Sequence, residues 1–575
     1  MHTETISERD AAWFEELAGA VRRGRAALVA HQHADGHWGG AVESDEPLEA
    51  ELIFLLAFLG ELADPRVPLA AKRLLERSRP DSRDDLGAAV RTYFALKIAG
   101  HAAHEPHMTR AAEAIRAAGG AASADPLTRA WLALLGQLPY SACAPEPVQA
   151  VLLPKWLGGI GAAPEWDRAG RIAWGIVRAH ETVTHLPAAL GASELFVRPL
   201  PAQKTNGLRP FRARALRAAT SWLRARCAEG GPDSGFRALA FATVALKALG
   251  APPTDPEARR VRAQLEHLCP VEGGRLRVQP FRAPVRDTAL SLIALAEAAP
   301  ARVADRLLER GARAAPLPRD TETTARVLVA LARAGGSMSA ASSELAYPAL
   351  NRLLAAQNRD GGWPAFDRAT SADPSCPALT ACALEALGHF GFRPGQPPVD
   401  AATRFVLERQ EISGPWRTRW GGSALQTTWQ VFAGLRAVGS DMCGLPVRRA
   451  VRWLKESQNA DASWGRATPS ETAWAVLALL EAGEAGSAEA RAGAEFLAGT
   501  QRRDGTWVER GFTAAGFAPG SKLKCELGAL HFPLLALGRY ASEYGQPEPR
   551  SGLTRADAGH AVAGPKGHRH TLAEM

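Results

Sequence analysis

The chain has 575 residues, a formal net charge of +8 and hydrophobic residues at 46% of its positions. This length exceeds one ordinary hydrophobic core, so we expect two domains. The positive charge is carried mostly by arginines that are dispersed among acidic residues, and without a basic patch interleaved with aromatics the pattern argues against direct nucleic-acid binding.

Abundant Ala, Leu and Arg favour helix throughout the chain, and we expect no substantial sheet. The N-terminal stretch is acidic and amphipathic, which predicts a helix and not a signal peptide. Apolar runs such as "ELIFLLAFLG" from Glu51 are too short to span a bilayer. The seven cysteines contain no CxxC pair, which indicates reduced thiols with neither disulfides nor a cysteine zinc site. These features predict a cytoplasmic protein.

A repeat of the form Q-x-x-x-G-x-W organises the chain. It occurs as "QHADGHW" from Gln32, "QNRDGGW" from Gln357, "QEISGPW" from Gln410, "QNADASW" from Gln458 and "QRRDGTW" from Gln501. One repeat departs from the pattern, with Ala462 at the glycine position. The last four glutamines are 53, 48 and 43 residues apart, which is enough for two helices per repeat.

Each repeat has a physical explanation. An apolar helix leads into the glutamine, the glycine permits a tight reversal, and the tryptophan packs back across the junction. The glutamine can hydrogen-bond backbone groups that are left open at a helix end. Because such helix pairs cannot bury both faces alone, they must stack or close into an α–α barrel. We therefore interpret the tryptophans as structural.

The five repeats resemble the QW motifs of the class II terpene cyclases, above all the squalene–hopene cyclases. Further segments are similar to that family, among them "LLPKWLGGI", "PVRDTALSLIAL", "RWGGSALQTTWQVFAGLRAVGSDM" and "HFPLLALGRY". The resemblance implies an all-α fold of two α–α barrels, conventionally called β and γ. The expected segments are an N-terminal helix joining the β barrel (1–24), an inserted γ barrel (25–281), the β barrel (282–548) and a disordered tail (549–575).

The resemblance gives a role to "DTETTA", residues 320–325. In the family a D-x-D-D-T-A or D-x-D-T-T motif precedes the same helix, and its central Asp protonates an alkene or epoxide. Glu322 stands at that position, with Asp320 to orient the proton and Thr323 or Thr324 to complete the hydrogen bonding. Protonating an alkene requires a neutral carboxylic acid in a dry pocket. The alternative is a helix N-terminus in which Asp320 or Thr321 caps and Glu322 complements the helix dipole.

Two departures from the family bear on this acid. Glu in place of Asp lengthens the side chain by one methylene, and misplacing a catalytic group by about 1 Å can cost about a hundredfold in rate. The family's His that activates the acid is replaced by Cys382, which core packing also explains. A slow cyclase and an impaired prenyl-binding homologue therefore both stay open, and the missing His weakens the squalene interpretation.

The expected pocket has lost aromatic residues and gained charge. Arg286 replaces a family Trp, and a guanidinium suits a diphosphate, although a salt bridge with Asp287 is an equal alternative. Phe517 is the one aromatic that remains from a C-terminal row of Phe and Tyr, with Lys522 and Lys524 beyond it. The residues that match other pocket aromatics of the family are Trp166, Phe366 and Trp420.

An acidic segment follows the first repeat. Glu43, Asp45 and Glu46 are candidate ligands for Mg²⁺, which prefers oxygen donors and which diphosphate-using members of the family bind. A solvated acidic loop is the simpler explanation, because charge runs usually face water.

These expectations combine into one hypothesis. The segment from Arg198 to Arg217 is short and polar where the family has an apolar membrane-docking helix, so we expect no stable membrane insertion. Fewer aromatics imply fewer rings, and a D-x-D-T-T-like motif favours a prenyl diphosphate. The expected reaction is cyclisation of farnesyl diphosphate to drimenyl diphosphate, with geranylgeranyl diphosphate second and squalene third. No class I D-D-x-x-D motif is apparent, so we expect the diphosphate to be retained. A homodimer and a helical scaffold for protein partners are left open.

Overall fold

A computed structural model of the protein describes residues 8–77, 85–163, 165–197, 211–228, 235–298, 320–333, 340–366, 373–418, 422–515 and 521–544. The predicted tail lies outside these residues. The first ten helices are α1 (Glu8–Ala30), α2 (Leu48–Leu59), α3 (Arg66–Arg77), α4 (Leu86–Ile98), α5 (Pro106–Ala117), α6 (Pro126–Leu134), α7 (Glu165–His180), α8 (Arg212–Ala228), α9 (Phe236–Ala248) and α10 (Pro256–Leu268). No helix within the described part is both long and apolar enough to cross a membrane.

The second half of the chain is also mainly helical. Its helices are α11 (Pro284–Ala298), α12 (Thr321–Arg333), α13 (Ala340–Ala355), α14 (Pro377–His389), α15 (Pro397–Leu407), α16 (Ala424–Val438), α17 (Leu445–Glu456), α18 (Pro469–Glu481), α19 (Ala488–Gly499) and α20 (Gly528–Tyr544). The strands are β1 (Val42–Ser44), β2 (Val271–Glu272), β3 (Arg275–Leu276), β4 (Ala514–Ala515) and β5 (Lys522–Cys525). Short 3₁₀ helices lie at 121–123, 140–142, 148–152, 155–157, 160–162, 188–190 and 193–195.

Helices of the second half form a closed ring. The inner helices α11, α12, α14, α16, α18 and α20 each pack against the next, and α20 returns to α11. Among the outer helices, α13, α15, α17 and α19 each pack on a neighbouring inner helix, and α1 packs on α20, α19 and α11. The N-terminal helix therefore belongs to this C-terminal barrel, and one continuous apolar core joins them. The all-α barrel architecture predicted from the repeats is confirmed.

A second apolar core lies in the N-terminal half. It is built by α2, α4, α6, α7 and α9, against which α3, α5, α8 and α10 pack from outside. Aromatic side chains pack against one another in it at tilted angles, with Trp131 5.9 Å from Phe54 and 5.1 Å from Phe241 between ring centroids. The two cores are separate, as expected for two barrels.

The five Q-x-x-x-G-x-W turns share one set of hydrogen bonds. In each turn the tryptophan Nε1 donates to the carbonyl oxygen ten residues earlier at 2.7 or 2.8 Å, as seen for Trp38, Trp363, Trp416, Trp464 and Trp507. In each turn the glutamine amide donates to the carbonyl oxygen four residues later. The structural explanation of the repeat is confirmed.

The same glutamines also join successive outer helices. The amides of Gln357, Gln410 and Gln458 donate a second hydrogen bond to a carbonyl oxygen in α15, α17 and α19, respectively. The amide of Gln501 donates to the Ala20 carbonyl oxygen of α1 at 3.0 Å. The last repeat thus closes the outer ring onto the N-terminal helix.

A small sheet joins the two ends of the chain beside the C-terminal barrel. Strand β5 pairs antiparallel with β1 and with β4, and Val42 lies opposite Cys525. The Val42 amide donates to Gln279 Oε1 at 3.2 Å, and the Gly40 amide donates to Asp287 Oδ2 at 3.0 Å. These contacts hold β5 against the start of α11, where the candidate site lies.

Candidate active site

The first turn of α12 carries the predicted acid motif. Asp320 Oδ1 accepts a hydrogen bond from the Thr323 amide at 2.7 Å, and Thr324 Oγ1 donates to the Asp320 carbonyl oxygen at 2.7 Å. Asp320 therefore caps the helix, which confirms the capping alternative for this residue. Burial and the neighbouring Glu322 raise the pKa of Asp320, although the hydrogen bonds from Thr323 oppose the shift. Asp320 thus combines a capping hydrogen bond with a raised pKa, and both are compatible with its predicted role beside Glu322.

Glu322 is half-buried and lies one residue into the helix, beside the buried Thr321 and Thr323. Its carboxylate interacts electrostatically with Arg286 on α11 and with Arg326 one turn further along α12. It is also within electrostatic range of the Cys382 and Cys525 thiols. The fold thus gathers residues that are up to 239 positions apart in the chain, as the Arg286–Cys525 contact shows.

Arg286 is mostly buried, with 18% of its side chain exposed. Its Nη2 donates to Cys525 Sγ at 3.3 Å and lies 3.8 Å from Asp287 Oδ1. The predicted salt bridge with Asp287 is therefore present but long, because Asp287 Oδ2 already accepts from the Gly40 amide. The Nε of Arg286 is buried and has no hydrogen-bond partner among the described residues. A donor of this kind can bind an anion.

Arg326 is a second buried cation that the sequence reasoning missed. Its Nη1 donates to Glu385 Oε2 at 2.8 Å and its Nη2 donates to Cys382 Sγ at 3.4 Å. The guanidinium carbon lies 5.4 Å from the centroid of the Trp429 ring. Like that of Arg286, its Nε is buried without a hydrogen-bond partner among the described residues. An arginine four residues after Glu322, on a helix that is otherwise apolar, is the signal that could have revealed it.

Cys382 lies where the family resemblance implies an activating histidine. Burial raises the pKa of its thiol to about 12, although Arg326 is close by, so the thiol stays neutral. A different histidine approaches the site. His531 Nε2 lies 2.8 Å from Ser291 Oγ, and burial, together with the charge of Arg286, lowers the His531 pKa to about 3. A neutral imidazole thus packs close to Arg286.

Aromatic side chains flank this cluster on one side. Phe532 makes edge-to-face contacts with Trp429 and Trp474, at 5.7 and 5.2 Å between ring centroids. Phe366 is half-buried, and its amide donates to Asp373 Oδ2 at 2.7 Å. The side chain of Trp166, and all of Trp420 and Phe517, lie outside the described residues. Trp429 is an aromatic candidate that was not selected from the sequence.

Lys522 and Lys524 lie on β5 but not on the face that meets Arg286. Side chains alternate along a strand, so Leu523 and Cys525 share one face and the two lysines share the other. Lys524 is paired with Glu43 across the β1–β5 ladder, and Lys522 is exposed. The geometry therefore places both lysines away from Arg286, and their predicted part in substrate binding stays a prediction.

The acidic segment after the first repeat does not fit a magnesium site. Arg73 binds Glu43 at 3.1 Å, Arg237 binds Glu46, and Asp45 Oδ1 accepts from the Lys522 amide at 2.9 Å. Among the described residues the three carboxylates do not come within coordinating distance of one another. Glu43 and Glu46 are neutralised by arginines, and the three carboxylates face different partners. These residues therefore do not form a set of Mg²⁺ ligands.

Two models of the squalene–hopene cyclase family match the chain. The model of the N-terminal domain matches residues 21–208 and that of the C-terminal domain matches residues 314–542, so together they cover more than two thirds of the sequence. The chain is 27% identical to the squalene–hopene cyclase of Zymomonas mobilis, over 92% of this chain and 95% of that protein. It is 27% identical to the squalene–hopene cyclase of Alicyclobacillus acidocaldarius, over 89% of this chain and 96% of that protein.

The solved structure of ent-copalyl diphosphate synthase from Streptomyces platensis has the same fold. It superimposes with a TM-score of 0.52 and 20% identity, over 92% of this chain and 100% of that one. With the domain models and the relatives, this likeness makes the assignment plain. The chain belongs to the squalene–hopene cyclase-like family of class II terpene cyclases.

Proposed function

We propose that the protein cyclises a linear prenyl diphosphate by protonation and keeps the diphosphate in the product, with farnesyl diphosphate as substrate and drimenyl diphosphate as product. The observation that carries the proposal is the pair of buried guanidiniums beside Glu322. Arg286 and Arg326 each keep an Nε without a hydrogen-bond partner among the described residues. An all-hydrocarbon substrate has no group that would use these donors, whereas phosphate oxygens would.

In the proposed reaction the Glu322 carboxyl group gives its proton to the terminal alkene of the substrate. The tertiary cation that forms is attacked by the next double bond, and a second closure gives a bicyclic cation. Loss of a proton from a neighbouring carbon restores a double bond and leaves the diphosphate attached. Asp320, which α12 holds by the bond from the Thr323 amide, orients the acid, and Thr323 or Thr324 completes the hydrogen bonding.

The charge around the acid supports a diphosphate substrate. Arg286 on α11 is a buried cation that interacts electrostatically with Glu322. Trp429 and its edge-to-face partner Phe532 supply aromatic density for the cations formed during cyclisation. Farnesyl diphosphate is the first candidate because fewer pocket aromatics imply fewer rings, and geranylgeranyl diphosphate is the next candidate. The ent-copalyl diphosphate synthase of similar fold is, by its name, an enzyme with a diphosphate product.

Squalene cyclisation to a hopene-type product is the second candidate function. It is favoured by the relatives, since the squalene–hopene cyclases of Zymomonas mobilis and Alicyclobacillus acidocaldarius match along nearly their whole length. Arg286 and the replacement of the activating histidine by Cys382 count against it. A third outcome, a prenyl-binding homologue without turnover, follows from the altered acid.

The test is an assay of the purified full-length protein with farnesyl diphosphate, geranylgeranyl diphosphate or squalene, with and without Mg²⁺. Products are treated with phosphatase and identified by mass spectrometry. We expect a bicyclic alcohol from farnesyl diphosphate. The Glu322→Gln variant, which cannot donate the proton, should lose at least about a hundredfold in rate. The Glu322→Asp variant should turn over faster than the parent protein. The exposed control Glu408→Gln should have the same rate as the parent protein.

The outcomes separate the candidates. A polycyclic hydrocarbon from squalene, with no product from the diphosphates, would establish the second candidate instead. No product from either the parent protein or Glu322→Asp, together with saturable binding of farnesyl diphosphate, would identify a binding protein. Full activity of Glu322→Gln would show that the acid lies elsewhere.

A further inference from the structure

The turn between α4 and α5 in the N-terminal barrel carries a histidine-rich sequence, "HAAHEPH" (101–107). Three of its side chains, His101, Glu105 and His107, converge on one point and are each half-buried. Among the described residues this is the one group of three or more His, Cys, Asp or Glu side chains with coordinating spacing. It has no part in the proposed cyclisation.

The two imidazoles approach the same carboxylate oxygen. His101 Nδ1 lies 3.2 Å from Glu105 Oε2, and His107 Nδ1 lies 3.7 Å from it. The three ligand atoms are all within 4.8 Å of one another. In a tetrahedral zinc site with bonds of about 2.0–2.1 Å, neighbouring ligand atoms are about 3.3 Å apart. The two contacts with Glu105, at 3.2 and 3.7 Å, are close to this value, and the two imidazoles are at most 4.8 Å apart at their ligand atoms.

Backbone contacts hold the carboxylate in place. Glu105 Oε1 accepts a hydrogen bond from the Ala102 amide at 2.6 Å, and the Glu105 amide donates to the Ala102 carbonyl oxygen at 3.0 Å. One carboxylate oxygen is thus engaged in the turn, and the other faces the histidines. The imidazole rings meet edge to face with centroids 5.4 Å apart. His107 Nε2 is buried without a hydrogen-bond partner among the described residues, so Nδ1 is its polar contact.

We propose that His101, Glu105 and His107 bind a Zn²⁺ ion, with water in the remaining position. Two imidazoles and one carboxylate are a donor set that zinc uses in proteins, whereas Mg²⁺ prefers oxygen ligands. The helix dipole places a partial positive charge at the start of α5, which disfavours binding of a cation there. The negative charge of the Glu105 carboxylate offsets this effect. The ion ties the turn after α4 to the first turn of α5, which is a stabilising role and goes beyond the proposed function.

The test measures Zn²⁺ binding to the full-length, chelator-treated protein in competition with a chromophoric chelator. We expect about one tight equivalent for the parent protein and at least about tenfold weaker binding for His101→Ala and for His107→Ala. Glu105→Gln keeps an acceptor for the Ala102 amide but loses the anionic ligand, so it should also bind more weakly. His104→Ala is the matched control, because His104 is exposed in the same turn.

Binding is confirmed independently by the visible absorption of Co²⁺ in place of Zn²⁺ and by a rise in melting temperature with Zn²⁺ but not with Mg²⁺. Histidines outside the described residues are present in every variant, so they cancel in the comparison. Far-ultraviolet circular dichroism without metal checks that each variant is folded. Equal Zn²⁺ affinity in all folded variants, or equal losses in His104→Ala and His107→Ala, would overturn the proposal.

Discussion

Arg286 occupies a position where the family resemblance implies a tryptophan, and the fold buries it beside the acid motif. Its neighbours are the Cys525 thiol at 3.3 Å and the Asp287 carboxylate at 3.8 Å, neither of which satisfies Nε. A buried guanidinium with a spare donor is costly unless an anion completes it. This environment is why Arg286 is the residue that we assign to the diphosphate.

Replacing Arg286 by Gln should lower kcat/KM for farnesyl diphosphate by about tenfold to a hundredfold, since a charged hydrogen bond contributes about 1.5–3 kcal/mol. The kcat/KM of Arg286→Lys should lie between those of the parent protein and Arg286→Gln, because lysine keeps the positive charge but lacks the planar fork of guanidinium donors. The exposed Arg259→Gln serves as control. Steady-state kinetics with the diphosphate substrate check this. An unchanged kcat/KM in Arg286→Gln would mean that the arginine only supports the packing of β5 against α11.

At the scale of an element, the Q-x-x-x-G-x-W turn shows how strictly local geometry constrains a residue. Gly36, Gly361, Gly414 and Gly505 at the glycine position have φ values of 96°, 86°, 120° and 83°. Ala462 occupies the same position with φ of 68°. Side chains with a Cβ are strained in this left-handed region, so the fourth turn carries a local cost that the others avoid.

The Ala462→Gly variant should therefore be more stable by about 0.5–1 kcal/mol, because the relief of strain exceeds the added freedom of glycine in the unfolded chain. Thermal and denaturant unfolding measure the shift. The control is the reverse change, from glycine to alanine, at the same position of the last repeat. A Cβ at Gly505 would lie 2.3 Å from the Arg23 carbonyl oxygen, so Gly505→Ala should destabilise the protein. A loss of stability in Ala462→Gly would contradict the strain argument.

At the scale of the whole molecule, charged side chains link inner helices that are not neighbours in sequence. Glu297 on α11 accepts from Arg333 at 2.6 Å and from Arg539 at 3.1 Å. Arg539 also binds Glu481, and Arg333 lies 3.5 Å from Glu385, which in turn binds Arg326 in the candidate site. One largely buried network thus runs from Glu481 and Arg539 to Arg326 in the candidate site.

Glu297→Gln should destabilise the protein by about 1.5–3 kcal/mol, since it weakens charged hydrogen bonds to two largely buried guanidiniums, each of which keeps one other carboxylate nearby. Unfolding by guanidinium chloride, a salt that screens surface charge, is the measurement. Glu484→Gln is the control, because the Lys455–Glu484 pair is partly exposed and should contribute about 1 kcal/mol or less. Equal losses of stability in Glu297→Gln and Glu484→Gln would show that burying the network adds nothing to the stability of the protein.

Much of the architecture follows from local sequence. Each repeat encodes its own turn through a glycine (Ala462 in one repeat), a tryptophan that donates to the carbonyl oxygen ten positions back, and a glutamine that donates to the carbonyl oxygen four positions ahead. These contacts are short in sequence, so a pattern search finds them. The acid motif also lies within five consecutive residues at a helix start, and its resemblance to the family's motif marks Glu322 as the candidate acid.

Other features depend on what the tertiary structure brings together. Arg326 looks like part of an apolar helix until Glu385, 59 residues away, is seen beside it. Lys522 and Lys524 lie near the expected pocket in sequence, but strand alternation turns them away from Arg286. The acidic run at 43–46 suggests a metal, but arginines from α3 and α9 neutralise Glu43 and Glu46.

The sequence by itself determined the repeat and, through its resemblance to the class II terpene cyclases, the all-α barrel class and Glu322 as the candidate acid, because the motifs that carry these lie within short stretches of chain. Only the tertiary structure decided which charges meet. Electrostatic interactions in a buried site depend on distances of a few ångströms between separate helices, and the spacing of residues along a chain does not specify those distances.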